Sequence, residues 1–175
     1  MKQISLGILQ YVQDYDEVFP RLYMYDSPTR RRWWEDMIYP YTNNWQLIIC
    51  PSADPSSYTF ARPAEGPDPL LYGYCANSMT TGDGTSATGG YGAGGPIRNT
   101  LVKLSQLEMP SQTILLVDGA GTELTQAQRS DCWDTTTGYV RLRHNDMANW
   151  AFCDGHVKSM KRSQPAMWSI SGTNP

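Results

Sequence analysis

Apolar positions follow a helical period at the start of the chain and a strand period near its end. Ile4, Ile8, Tyr11, Val12 and Tyr15 fall at i, i+4, i+7, i+8 and i+11, one stripe of an amphipathic helix over residues 1–17 that Leu6 and Leu9 widen. Asp14-Tyr15-Asp16-Glu17 ends it and Pro20 blocks continuation. Ser27-Pro28 has the form of an N-cap followed by a first-turn proline, and predicts a short helix to about Tyr39, before Pro40. Trp45 to Ile49 reads as a short strand, and residues 51–95 as mostly loop, with a strand from Leu70 to Tyr74 that ends at Cys75. Leu101–Leu107 suits a strand or a helical turn. Thr113-Ile114-Leu115-Leu116-Val117 is a nearly continuous apolar run, expected to be a central strand covered on both faces. A helical turn is expected around Leu124–Arg129.

Val140, Leu142 and His144 alternate with Arg141 and Arg143, which predicts another half-buried strand. Beyond it, Asp154-Gly155 is the best two-residue turn signal in the chain. A type I′ turn there would pair Cys153 with His156, Phe152 with Val157 and Trp150 with Ser159. Trp150, Phe152 and Val157 would then share an apolar face, and Ala151, Cys153, His156 and Lys158 a mixed one. The pattern as a whole predicts a single α+β domain over residues 1–175, with an N-terminal amphipathic helix packed on a small antiparallel sheet and long loops.

Composition narrows the function. The chain has 175 residues, enough for one core, with 18% charged residues and a net charge of −3. That acidic balance argues against a general nucleic-acid binder. Arg30-Arg31-Arg32 beside Trp33-Trp34 could clamp a single strand, but Glu35 and Asp36 follow at once, and a solvated helix face over packed tryptophans is preferred. No apolar run approaches the ~20 residues that span a bilayer. The chain starts inside a helical pattern with no N-cap, so an upstream segment is expected to be missing.

The candidate chemistry is sparse. Cys50, Cys75, Cys132 and Cys153 form no CxxC pair. Two disulfides, Cys50–Cys75 and Cys132–Cys153 for preference, are the extracellular reading, and buried free thiols the alternative. Calcium could draw oxygens from Asp14, Asp16 and Glu17, or from Asp118 with Asp131 and Asp134. The D-x-[DN]-x-[DN]-G loop is absent, however, and solvated carboxylates are the commoner case. An acid–base site would need His144 or His156 beside Asp118, Asp146 or Asp154. No G-x-S-x-G elbow supports a nucleophile, and Asp154 is already used by its turn. The glycine-rich residues 80–95 lack a phosphate-loop pattern. No cofactor is expected. An amphipathic helix leading a β-rich body also suits a subunit packed helix-first into an assembly.

His144, nine residues, then Asp154-Gly155 stand inside Arg143-His144 and Phe152-Cys153-Asp154-Gly155-His156-Val157-Lys158. With Met1-Lys2-Gln3-Ile4 through Gln13–Pro20, Cys50-Pro51-Ser52 and Thr113–Asp118, in that order, they cover most of the chain. On these residues the chain resembles the bacterial type IV pilin-like and pseudopilin family with the prepilin-type His-x9-Asp-Gly motif. The resemblance implies a pilin-like fold and a non-catalytic, homo-oligomeric subunit of an extracellular or envelope filament. His144, Asp154 and Gly155 would be structural. The family's cleavage site and hydrophobic half-helix are not in these residues, so membrane attachment would come only through a missing upstream segment. The alternative is a secreted or surface-attached adhesion module that recognises a glycan or another surface ligand through the Trp- and Tyr-rich surface and the long loops.

Overall fold

A computed structural model describes residues 1–28, 30–53, 59–60, 70–71, 73–78, 94–121, 123–124 and 140–171. It is α+β, with two N-terminal helices and small antiparallel sheets. Helix α1 (Lys2–Asp14) buries Ile4, Ile8 and Val12, as its periodicity predicts. It stops short of residue 17 because Asp16 and Glu17 turn into the left-handed region (φ 52° and 61°), and the Glu17 N–H closes back on the Val12 carbonyl at 2.9 Å.

The second helix starts later than expected. Strand β1 (Tyr23–Ser27) pairs antiparallel with β2 (Arg30–Trp33), and α2 follows as Trp34–Thr42. The Ser27 hydroxyl does cap an N–H, that of Arg30 at 3.2 Å, but it caps the turn between two strands. Asp36 takes the capping role, with Oδ2 accepting the Trp33 N–H at 2.7 Å. The helix runs through Pro40 to a left-handed Asn43. Gly7 lets the two helices approach: a Cβ there would lie 2.8 Å from Thr42 Cγ2.

The Trp45–Ile48 segment is a 3-10 turn rather than a strand, because the Asn44 side chain accepts the Gln46 N–H at 2.9 Å and winds the chain locally. The predicted Leu70–Cys75 strand divides in two. Strands β3 (Thr59–Phe60) and β4 (Leu70–Leu71) pair with each other, and β5 (Tyr74–Asn77) joins the main sheet. Leu104–Gln106 is a 3-10 turn. The main sheet adds β6 (Ile114–Asp118), β7 (Glu123–Leu124), β8 (Ala148–Phe152) and β9 (Val157–Met160), in the order β7-β5-β6-β8-β9. Strand β6 is central and wholly buried, as its apolar run predicts. The backbone at Glu123–Leu124 is a strand beside β5 where a helical turn was expected; the rest of that stretch lies outside the described residues.

Apart from Lys158 and Ser159, exposed on the edge strand β9, both faces of this sheet are packed. On one, Ala76, Leu115, Leu116, Ala151 and Cys153 meet Ile4, Ile8, Val12, Trp34 and Ile38 of the helices. On the other, Ile114, Val117, Trp150 and Phe152 meet Trp168, which lies in a 3-10 turn, Pro165–Trp168. Of the expected mixed face, Ala151 and Cys153 are therefore core, while Lys158 is exposed.

The β8–β9 hairpin exists with a different turn. Trp150 pairs with Lys158 and Ala151 with Val157, one residue off the predicted register. The Gly155 N–H bonds the Phe152 carbonyl at 2.8 Å, and the Phe152 N–H bonds the His156 carbonyl at 2.9 Å. Only Gly155 has positive φ (87°). This is a three-residue loop closed by a left-handed glycine, the other turn that Asp-Gly suits. The slip moves Val157 to the Ala151 and Cys153 face and stacks His156 flat on Phe152, ring centroids 4.2 Å apart. The two-residue turn lies nearby instead. Asn145 and Asp146 both have positive φ (53° and 56°), while His144 and Met147 exchange both backbone hydrogen bonds at 3.1 Å. The predicted strand through His144 is thus reduced to an isolated bridge between Val140 and Gly119, followed by this turn.

The hairpin tip rests on α1. Lys2 Nζ donates to the Gly155 carbonyl at 2.6 Å, and a Cβ on Gly155 would lie 2.8 Å from Leu9 Cδ1. Replacing Gly155 by Val is expected to cost roughly 1–3 kcal/mol, because a β-branched residue is strained at positive φ even before it meets Leu9. An unchanged urea midpoint would refute this turn geometry.

The favoured Cys50–Cys75 disulfide is not formed. Cys50, Cys75 and Cys153 are buried and stand in no disulfide among the described residues, and Cys132 lies outside them. Cys50 packs in the helix-side core and Cys75 on the opposite face of the sheet, where its Sγ donates to the Gly121 carbonyl at 3.3 Å, so the two side chains point apart. Cys153 is likewise enclosed in the helix-side core. No helix among the described residues is long and apolar enough to cross a membrane.

Candidate metal centre

Three distant segments bring Cys50, Asp118 and His144 together at one end of the sheet. Cys50 follows the 3-10 turn, and its carbonyl accepts the Ala53 N–H at 2.9 Å. Asp118 is the last residue of β6; its Oδ2 accepts the Asn149 N–H of β8 at 2.6 Å, and its carbonyl accepts the Arg141 N–H at 2.9 Å. His144 opens the Asn145-Asp146 turn, which aims its ring back at the sheet end.

Backbone packing fixes the frame. Gly73 lies directly against Cys50, with its N–H on the Ile48 carbonyl at 3.2 Å. The Arg143 guanidinium spans the carbonyls of Gly73 (2.9 Å) and Gly119 (2.8 Å), joining the chain before β5 to the chain after β6. Arg143 thereby supports the centre as well as preceding His144 in sequence.

His144 Nε2 lies 3.6 Å from Cys50 Sγ and 3.4 Å from Asp118 Oδ2. One ligand atom from each residue falls within 4.8 Å of the others, the only such group of three among the described residues. Cys50 and Asp118 are fully buried, and the His144 side chain is one-third exposed. Burial pushes the Asp118 carboxyl above its ordinary range, against the Asn149 hydrogen bond and the charges of His144 and Arg143. Burial likewise raises the Tyr74 hydroxyl, helped by the charges of Cys50 and Asp118 and a hydrogen bond with Cys50. Asp118 Oδ1 is buried with no hydrogen-bond partner among the described residues.

The residue types invite comparison with a Cys-His-Asp relay, but the geometry differs. A relay uses opposite ring nitrogens, one facing the nucleophile and the other the carboxylate. Here thiol and carboxylate converge on the same nitrogen, an arrangement that encloses a point between three donors.

The other residues singled out from sequence do not join this centre. Asp14 accepts the Tyr41 hydroxyl at 2.9 Å, and Asp16 and Glu17 are exposed in the turn after α1, so the calcium set Asp14, Asp16, Glu17 and Asp118 is not assembled. Asp131 and Asp134 lie outside the described residues. Asp146 is exposed in its turn. Asp154 and His156 form a local pair at the hairpin tip, with Asp154 Oδ1 accepting the His156 N–H at 3.0 Å and lying 2.6 Å from Nδ1. Burial pushes the Asp154 carboxyl up, but these bonds outweigh it and hold the group below its ordinary value. Tyr74, Gly73 and Arg143 were missed as parts of a site. Compared with known proteins, the chain matches no family model, no curated protein and no solved structure.

Proposed function

We propose that this chain is the globular body of a non-catalytic structural subunit of an extracellular or envelope type IV pilus-like filament, which self-assembles through its N-terminal helix and its body. The observation that carries the reading is how the His-x9-Asp-Gly residues meet α1. Lys2 holds the Gly155 carbonyl and Leu9 covers Gly155. The motif therefore fastens the first turns of the helix to the sheet, which is what a subunit loaded through that helix needs. Leu6 on α1 and Tyr15 just after it remain exposed as apolar surface for neighbouring subunits.

The adhesion alternative gains less support. A sugar-stacking platform needs open aromatic faces, but the Arg31 guanidinium already lies over Tyr23 (4.4 Å), Tyr25 and Trp33 (both 5.2 Å). Arg30 and Arg32 meet Asp26 at 4.0 and 3.7 Å, which also removes them as a nucleic-acid clamp.

Electron microscopy of the native protein, with whatever precedes Met1 in its gene, tests the filament reading. Filaments that contain this body are expected, as is a glycine ahead of a ~20-residue apolar run upstream. A native protein that stays monomeric under all conditions would sink the reading.

A further inference from the structure

We propose that Cys50, Asp118 and His144 bind one borderline divalent cation of the zinc class as a structural tie between the Cys50 loop, the end of β6 and the turn before β8. Ligand bonds of about 2.0–2.3 Å to N, O and S in a tetrahedral site give ligand–ligand edges of about 3.3–3.6 Å. The Nε2–Oδ2 and Nε2–Sγ separations are 3.4 and 3.6 Å. Two of the three edges thus already have the length an ion would impose, and the third, from Cys50 Sγ to the Asp118 carboxylate, lies within 4.8 Å and closes on binding.

Charge and donor type agree. Binding turns the Cys50 thiol into a thiolate and releases its proton to solvent. A thiolate, a carboxylate and a neutral imidazole then balance a divalent ion, which offsets the burial of Asp118. The Asp118 Oδ1 without a partner shows a carboxylate held in a dry place with part of its capacity unused. Arg143 compensates only partly, since its guanidinium is engaged by the carbonyls of Gly73 and Gly119. A soft sulfur donor and so few oxygens disfavour calcium, which takes about 6–8 oxygens. The Tyr74 hydroxyl, hydrogen-bonded to Cys50, serves as an outer support for the sulfur. Water completes the set from the side left open at His144.

Cobalt(II), added alone to the reduced protein, is the probe. One ion per chain is expected, with a thiolate-to-cobalt charge-transfer band and the strong visible bands of a four-coordinate centre, all displaced by one equivalent of zinc. Cys50→Ser and His144→Ala are each expected to weaken binding by more than about 100-fold, beyond the loss of an outer support. His156→Ala should leave it unchanged. His144 is part-exposed, so its variant should fold, and circular dichroism checks this; it decides alone if Cys50→Ser does not fold. A folded wild type with no charge-transfer band overturns the proposal. So does binding that survives His144→Ala, or that is lost with His156→Ala. Filament formation enters none of these readouts, so this test and that of the filament reading fail independently.

Discussion

A Gly73→Ala variant is expected to lose about 3 kcal/mol or more, at or beyond the top of the usual range for overpacking. A Cβ on Gly73 would sit 2.2 Å from Cys50 N, 2.5 Å from Cys50 Cβ and 2.9 Å from Cys50 Cα. None of these atoms is the end of a flexible side chain, so rotamer changes cannot relieve the clash and one backbone must move. Neither is free to do so. The Gly73 N–H is on the Ile48 carbonyl, and its own carbonyl accepts from both the Gly119 N–H and Arg143. Displacing Gly73 breaks the tie beside β5, and displacing Cys50 pulls its sulfur away from His144. For a chain of this length the loss corresponds to a melting temperature lower by roughly 6–12 °C. Thermal or urea unfolding checks it. Wild-type stability in this variant would mean that the two backbones are not in such close approach.

What the sequence made legible follows from how local each cause is. The α1 stripe and the β6 run were readable because one periodicity or one apolar block decides each element. The Ser27-Pro28 reading failed because a capping serine and a proline serve a strand-to-strand turn as well as a helix start. Residues 34–42 carry their own cap, Asp36, three positions after Trp33, and that signal was present but outranked. Asp154-Gly155 marked the right place for the hairpin, but Asp-Gly suits two loop lengths, and the choice between them shifts every side chain on β9 to the other face. The tighter turn at Asn145-Asp146 lies just past an alternation that read as strand.

The candidate site was legible only in pieces. His144 stood out as part of a motif, Asp118 as a weak calcium ligand and Cys50 as half of a disulfide. Cys50 and His144 are 94 residues apart, and only the pairing of β5, β6 and β8 brings them to one sheet end. A usable signal did exist: Asp118 ends an apolar strand where a carboxylate has no packing purpose. The Cys50–Cys75 pairing failed for a tertiary reason, because strand alternation sends Cys75 to the face opposite Cys50.

Trp168→Ala is expected to be the most damaging single truncation outside the sheet, at about 3–5 kcal/mol. Trp168 follows Pro165 and packs on the sheet face formed by Ile114, Val117, Trp150 and Phe152. Trp168 is fully buried and meets Trp150 edge-to-face, with centroids 6.0 Å apart at 78°. Its Nε1–H donates to Ser163 Oγ at 2.8 Å, and its carbonyl accepts from Asn77 Nδ2 at 3.2 Å, the amide that also holds the Ile114 carbonyl at 2.8 Å. Removing the indole opens a cavity against Ile114, Val117 and Phe152 that a central strand cannot collapse to fill. Trp168→Phe separates the two contributions. It keeps most of the apolar contact and loses the Ser163 bond, so it should retain much of the stability, with a cost nearer the ~1 kcal/mol of one hydrogen bond plus a smaller void. At roughly 2–4 °C per kcal/mol, the alanine variant should melt about 6–20 °C below wild type, with the phenylalanine variant between them. If the alanine variant melts with the wild type, the tail is not part of the core, and the second layer assigned to this sheet face is wrong.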